Sequence, residues 1–264
     1  MSDPSAGILS PPGKLPWHDR AVIVAALAGL TLIAWFYTWH QVRAMTGVED
    51  MAMPTEFGPW TLSDVSLNIV IWWVMMIGMM VPSATPMILI FAAVNRSKRT
   101  RGKPFVPTAV FVAGYLVAWG VFGLAATVAE WALEQAALIS PETQRVGPGL
   151  GAGIIIAAGI YQLAPLKNAC LAHCRTPLDF VLNHWRDGAP GALRMGLEHG
   201  FYCLGCCWVL MALLFALGVM NLLWMAMLTA FVLVEKLFPA GQSIARVSGV
   251  VMIGFGALLL AQAE

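Results

Sequence analysis

Charged side chains are scarce in this sequence. Asp, Glu, Lys and Arg make up 11% of its 264 residues, whereas a typical soluble domain has about 25%. Apolar residues make up 59%, and the mean hydropathy is +0.76. Because a soluble protein of this size needs charge to cover its surface, the composition excludes an ordinary cytosolic enzyme, a disordered chain and a nucleic-acid binder.

The short motifs of several enzyme classes are also missing. The sequence contains no Gly-x-Gly-x-x-Gly, no phosphate loop, no His-Glu-x-x-His and no Gly-x-Ser-x-Gly. Acidic residues do not gather within the apolar stretches, which disfavours a proton pump or a sodium-coupled transporter. We therefore assign no catalytic residue and leave enzymatic activity open only for the redox alternative given below.

Long apolar runs are abundant instead. A helix needs about 20 mostly apolar residues to cross about 30 Å of hydrocarbon. The pattern predicts an all-α, polytopic transmembrane helix bundle, a single integral membrane domain over residues 1–264 with a polar tail at 1–20. The seven predicted spans are 21–39, 66–94, 105–131, 149–166, 196–219, 222–237 and 248–260.

Loop charges predict the orientation. The loop 95–104 carries five basic residues and no acid, so the positive-inside rule makes it cytoplasmic. The other loops agree with an N-terminus inside and a C-terminus outside, which predicts a multi-pass protein of a bacterial inner membrane in contact with the lipid bilayer. The five basic residues are Arg96, Lys98, Arg99, Arg101 and Lys103.

The segment 167–195 then lies at the inner face. Pro177 is suited to the first position of a helix. The apolar side chains that follow share one helical face, and Asp187-Gly188 ends the pattern. We predict a short amphipathic helix on the inner membrane surface. Its apolar face consists of Leu178, Val181, Leu182 and Trp185.

All five cysteines lie in two groups, and each group includes or neighbours a histidine. Helical spacing places His199, Cys203, Cys206 and Cys207 on one stripe, so that their side chains can converge. In a reducing cytosol thiols persist, and thiolate with imidazole suits copper(I) or zinc(II). The plain alternative is that cysteine packs well between membrane helices. The second group consists of Cys170, His173 and Cys174.

The second predicted span is rich in methionine. Met76, Met79, Met80 and Met87 share a helical face, and their thioethers are soft ligands that suit copper(I). Prolines 82 and 86 within the same span predict freed backbone carbonyls and kinks. Methionine as a flexible apolar filler is the alternative interpretation.

Polar residues near the inner ends of the spans have simpler interpretations. We expect Glu235 to pair with Lys236, and Lys236 to extend towards the membrane surface. The alternative is that Glu235 orients a histidine ligand. Tyr161, Gln162 and Asn168 are predicted to make hydrogen bonds between helices.

A specific combination of motifs occurs in the runs 161–177, 194–196, 199–200, 202–208 and 218–221, and at Pro82-Ser83, Pro86-Met87, Gly114-Tyr115, Trp119 and Glu235-Lys236. Through these motifs, residues 60–264 resemble a bacterial family of predicted metal-binding integral membrane proteins, a domain of unknown function of which some members are called copper chaperones. Ala164 stands where the usual family pattern has threonine. The resemblance implies a bound metal ion without a mechanism.

The leading hypothesis is an integral membrane protein that binds a soft metal ion, copper(I) in the first place with zinc as the alternative. The protein would either move the ion across the membrane or deliver it to a partner protein. The main site would consist of His199 and the thiols of the fifth span. An uptake or delivery site would be formed by Cys170, His173 and Cys174. The methionines of the second span would provide a weaker path for the ion. One rival is a membrane thiol oxidoreductase that uses Cys203 and Cys206. Another is a structural or assembly subunit without a bound ion.

Overall fold

A computed structural model of the protein describes residues 15–46, 59–99, 106–140 and 143–263. These residues form nine helices, and the only strand-like feature among them is one antiparallel bridge between Ile139 and Val146. The predicted all-α class is confirmed for this part of the chain. The helices are α1 (Trp17–Thr46), α2 (Leu62–Arg99), α3 (Thr108–Gln135), α4 (Pro148–Leu163), α5 (Pro165–Arg175), α6 (Pro177–Asn183), α7 (Gly188–Leu217), α8 (Leu222–Leu237) and α9 (Gly241–Ala263).

Five of these helices, α1, α2, α3, α7 and α9, are long and apolar enough to cross a membrane. The pair α4 and α5 is also long and apolar enough when taken together. A bend of 64° separates its two halves, so the pair is either a sixth, broken span or a re-entrant loop. The predicted number of seven spans is not confirmed. The sixth predicted span does form α8, but 16 residues are fewer than the about 20 that a perpendicular crossing needs.

The bend between α4 and α5 has a local cause. Ala164 is extended, with φ −66° and ψ 139°, and Pro165 follows it as the first residue of α5. A residue before proline avoids the helical region because the proline ring crowds its backbone. The predicted span 149–166 therefore ends early, and the chain turns into a second helix that carries Cys170 and Cys174.

The outer surface of the bundle is apolar. On α3, Val117, Val121, Leu124 and Val128 are about half exposed, whereas Trp119 on the opposite side is fully buried. A soluble protein seldom exposes a continuous stripe of this kind, but lipid tails accept it. The arrangement agrees with the membrane environment that the composition predicts.

Two pairs of helices approach each other closely through glycine. A Cβ on Gly196 of α7 would overlap the carbonyl oxygen of Phe111 of α3, and a Cβ on Gly114 would overlap that of Leu193. Gly159 of α4 meets Gly249 of α9 in the same way. Small residues at such contacts let membrane helices associate through close van der Waals packing.

Helix α2 remains continuous through its two prolines. Proline at position 82 cannot donate a hydrogen bond to the carbonyl four residues earlier, which belongs to Gly78. The indole Nε1 of Trp35, on α1, donates to that carbonyl at 3.1 Å. The carbonyl that we expected to be free is thus used to attach α1 to α2.

The inner-face segment differs from the prediction. A helix does begin at Pro177, but it ends at Asn183 and its buried residues are Phe180 and Val181. Leu178, predicted to lie on the apolar face, is 41% exposed. Helix α6 packs against α2, so the predicted placement on a membrane surface is not confirmed.

The basic loop that predicted the orientation lies only partly within the described residues, where Arg96, Lys98 and Arg99 form the end of α2. Residues 100–104 of the loop, with Arg101 and Lys103, and residues 1–14 of the tail lie outside the described part. Orientation, the inner-membrane location and the division into a tail and one domain therefore stay predictions.

The close contact between α3 and α7 yields a stability prediction. Gly196→Ala should destabilise the protein by about 1–3 kcal/mol, because a backbone carbonyl cannot yield to the added methyl group as a side chain can. We expect a lower melting temperature in mild detergent. Gly153→Ala is the matched control, since a Cβ there meets nothing within 4 Å and alanine favours the helix. Equal effects of the two variants would contradict this close contact.

Candidate metal centre

One face of α7 carries the residues that the sequence placed on a single stripe. His199, Cys203, Cys206 and Cys207 are all buried, and each thiol-bearing residue is only 1% exposed. Cys203 lies in the middle of the 30-residue helix, far from either end. The predicted stripe is therefore a buried surface that faces α2, α3, α5 and α8.

Cys203 contacts polar groups from two neighbouring helices. Nζ of Lys236, on α8, lies 2.9 Å from its Sγ. The hydroxyl of Tyr115, on α3, lies 3.1 Å from the same sulfur. Lys236 also donates to Oγ of Ser83, on α2, at 3.1 Å. Four helices thus meet around one thiol and one ammonium group.

The other two thiols of α7 lie beside Cys203. Sγ of Cys206 and Sγ of Cys207 donate to the carbonyl oxygen of Cys203 at 3.0 and 2.9 Å. Sγ of Cys207 also lies 3.9 Å from Sδ of Met80. A thioether from the predicted methionine face therefore reaches the thiols.

Helix α5 supplies a fourth thiol. The Cys174 side chain interacts with both the Cys203 and the Cys206 thiols. Cys170 lies one turn earlier against Gly205, where a Cβ would approach its sulfur to 2.8 Å. The two cysteine groups, 29 residues apart between Cys174 and Cys203, are brought together by the bend before α5.

The two histidines have different surroundings. The His199 ring stacks on Tyr115 and Phe111, with centroids 5.8 and 6.2 Å away, and its buried Nδ1 has no hydrogen-bond partner. His173 is partly exposed, its ring lies 4.3 Å from that of Tyr202, and its Nδ1 pairs with the carbonyl of Ala169. Of these two histidines, only His199 offers a buried nitrogen without a partner.

The predicted methionine path has one member at the thiols. Met80 contacts Cys207, as described above. Met76, Met79 and Met87 are almost completely buried in the core. Their burial fits apolar packing along α2. Their role as a path for the ion stays a prediction.

The expected pairing of Glu235 with Lys236 is wrong. Consecutive residues of a helix point about 100° apart, and the two side chains take different partners. Both carboxylate oxygens of Glu235 accept from Lys167 Nζ, at 2.9 and 2.8 Å, and Gln162 donates to Oε1 at 2.8 Å. Glu235 therefore orients no histidine, and Lys236 extends into the thiol group instead of towards water.

The hydrogen bonds expected between helices form in two cases of three. Gln162 donates to Glu235, as above, and to Ser248 at 3.2 Å, and the Tyr161 hydroxyl donates to the carbonyl of Gly205. Oδ1 of Asn168 is buried without a partner, so this expectation is wrong for that oxygen.

Helix α5 is attached to α8 and the residues after it at both of its ends. Lys167 and Glu235 form a buried ion pair near its start. Near its end, the Arg175 guanidinium donates to the carbonyl oxygens of Phe238 and Pro239 at 2.7 and 2.8 Å. These attachments determine where Cys174 meets α7.

The described residues contain no group of three or more His, Cys, Asp or Glu side chains that already surrounds a metal position. The sulfur atoms are instead arranged around the Lys236 ammonium and the carbonyl of Cys203. Thiols and a thioether at this separation can turn about their χ1 angles towards a soft ion without movement of the helices. The donor set fits copper(I) chemically.

Sequence reasoning missed two members of this centre, Lys236 and Tyr115. The available signal for Lys236 was that an ionisable residue within an apolar stretch is costly and usually functional. Tyr115 could be placed beside Cys203 only with knowledge of how α3 packs on α7.

Fold and site together define a class: a helical protein with helices of membrane length and a buried group of sulfur atoms of the kind that soft metal ions prefer. The profile of the PpoB2 copper chaperone family matches residues 69–259, and the chain belongs to this family. The match includes all five cysteines, His199 and Lys236, and it confirms the resemblance inferred from the sequence. No curated protein and no solved structure matches the chain.

The buried ion pair gives a second prediction. Lys167→Met leaves the Glu235 carboxylate without its cation and should cost about 3–5 kcal/mol of stability. Thermal unfolding in detergent measures this loss. The double variant Lys167→Met/Glu235→Gln removes both charges and should regain most of the lost melting temperature. If it is no more stable than the single variant, the pair does not act as described.

Proposed function

We propose that the protein is an integral protein of the bacterial inner membrane that binds copper(I) at the buried thiols and releases it to a partner protein that requires the metal. Cys203, Cys206, Cys207 and Cys174 are the sulfur donors of the main site. The N-terminus lies inside and the C-terminus outside. Membership of a copper chaperone family supports copper as the cargo.

The observation that carries this proposal is the packing of α5 against the cysteine-bearing part of α7, with Cys170 against Gly205 and Cys174 one turn later on the same helix. Side chains on a single helix surface approach an ion from one side only, so a closed site needs a second segment. Helix α5 supplies that segment, and Met80 of α2 adds a thioether from a third direction. Thiolate and thioether are the ligands that soft copper(I) favours over harder ions.

The surroundings of the thiols also suit an ion held without water. His199 offers a buried ring nitrogen with no hydrogen-bond partner, and imidazole nitrogen is a common ligand of copper. Its neighbours Tyr115 and Phe111 exclude solvent. We include His199 as a neutral donor that completes the coordination during loading or release.

Release requires that the ion can be exchanged. Cys170 and His173, both partly exposed residues of α5, are proposed as the uptake or delivery site. Met76, Met79 and Met87 provide weaker thioether ligands along α2. Ligands of graded softness permit stepwise transfer, whereas a closed cage of thiolates alone would retain the ion.

A second candidate function is a thiol oxidoreductase that uses Cys203 and Cys206. The contact between Lys236 and Cys203 favours it, because a cation beside a thiol is typical of reactive cysteines. Both thiols are, however, buried in mid-helix rather than at a helix N-terminus. Alkylation of the two thiols at a series of redox potentials separates the functions: a redox pair changes its labelling in a two-electron step, and a copper ligand does not.

Loss of the α7 thiols gives a third prediction. Cys203→Ser/Cys206→Ser should remove most of the bound copper, because serine nearly preserves the volume but replaces soft sulfur with hard oxygen. Elemental analysis of protein purified in mild detergent under reducing conditions measures the copper content. Met211→Leu, another buried residue of α7, is the matched control and should retain parental copper. Unchanged copper in the double variant would contradict the proposed site.

A fourth prediction concerns cooperation between α5 and α7. If both helices hold one ion, Cys174→Ser should weaken copper(I) binding strongly in the parent and only slightly once Cys203→Ser is present, because groups that act as a unit are not additive. Titration with a competing copper(I) chelator compares the four proteins. Additive losses together with two ions per chain would instead indicate two separate sites.

A further inference from the structure

Lys236 is placed unusually for a lysine. Its side chain is buried, and its ammonium group donates to the Ser83 hydroxyl and contacts the Cys203 sulfur. No carboxylate pairs with it in the described ranges of the chain, since the neighbouring Glu235 is bound to Lys167. A buried charge without an opposite charge is costly, so the ammonium indicates that negative charge belongs at the thiols.

Metal binding would create negative charge at the thiols in a defined amount. Metal binding displaces the thiol protons, so each cysteine ligand contributes one negative charge. Copper(I) held by two of the four cysteines as thiolates, with the other two remaining neutral thiols, has a net charge of minus one, and neutral donors such as Met80 or His199 do not alter it. With the ammonium of Lys236 the assembly is electrically neutral, which a buried site with little water favours.

We propose that Lys236 is a specificity-determining residue that balances the charge of copper(I) held by two thiolates. This inference rests on the proposed function. The same count disfavours zinc(II) on two thiolates, because the zinc ion, the two thiolates and the lysine together would carry a net charge of plus one. With zinc(II) and the lysine, the site becomes neutral only when a third cysteine of the group binds as a thiolate.

The consequence is a change in metal preference when the charge is removed. In Lys236→Met, copper(I) on two thiolates keeps an unbalanced negative charge, whereas zinc(II) on two thiolates becomes neutral. The ratio of copper(I) to zinc(II) affinity should therefore fall by at least about tenfold. A residue that only filled space would weaken both metals equally and leave the ratio unchanged.

The experiment measures both affinities of the full-length protein in detergent, with a copper(I)-selective chelator under reducing conditions and a zinc(II)-selective chelator in parallel titrations. Lys236→Arg retains the charge and should keep the parental ratio. Ser83→Ala removes a hydrogen bond of the ammonium without a change of charge and should also keep it. If Lys236→Met does not fold, Lys236→Gln, which is neutral but polar, replaces it, and we expect the same fall in the ratio.

A fall in the ratio for both neutral variants, with Lys236→Arg and Ser83→Ala near the parent, supports the inference. An unchanged ratio, or tighter copper(I) binding without the lysine, overturns it while the proposed function stands. Failure of the parent protein to bind copper(I) at all overturns the proposed function, and this inference with it.

Discussion

The contact between the Lys236 ammonium and the Cys203 thiol is the constraint on which the centre of the molecule depends. A lysine can be buried among apolar helices only if the chain itself solvates its charge. Ser83 from α2 bonds the ammonium, Tyr115 from α3 bonds the same thiol, and α7 and α8 provide the two partners. The relative positions of four helices are therefore coupled to the geometry at one sulfur atom.

The broken helix α4–α5 brings the remaining thiols to this point. Pro165 separates α4 from α5, the ion pair of Lys167 with Glu235 holds the first turn of α5, and Arg175 holds its last. Because Glu235 and Lys236 are consecutive on α8, one short stretch both positions α5 and presents the ammonium to Cys203. Helices α5 and α7 are thus both held in place by contacts with α8.

Local patterns sufficed for much of this account. The helices and the buried stripe of α7 follow from helical spacing and apolar length, which are short-range properties. The partner of Lys236 could not be predicted, because Cys203 is 33 residues away and its approach depends on how α7 and α8 pack. Spacing placed Glu235 beside Lys236 and suggested a pair, but helical geometry directs the two side chains to different neighbours. The attachment of Gly78 to Trp35 likewise needed knowledge of α1 in three dimensions.

The central claim is that copper is held by the sulfur atoms of α7, α5 and α2. X-ray absorption spectroscopy at the copper edge, on protein loaded under reducing conditions, tests it most directly because it reports oxidation state and neighbouring atoms together. The account predicts monovalent copper with sulfur as the main neighbour and at most a single nitrogen, from His199. Copper surrounded mainly by nitrogen or oxygen, or divalent copper that persists under reducing conditions, would contradict it.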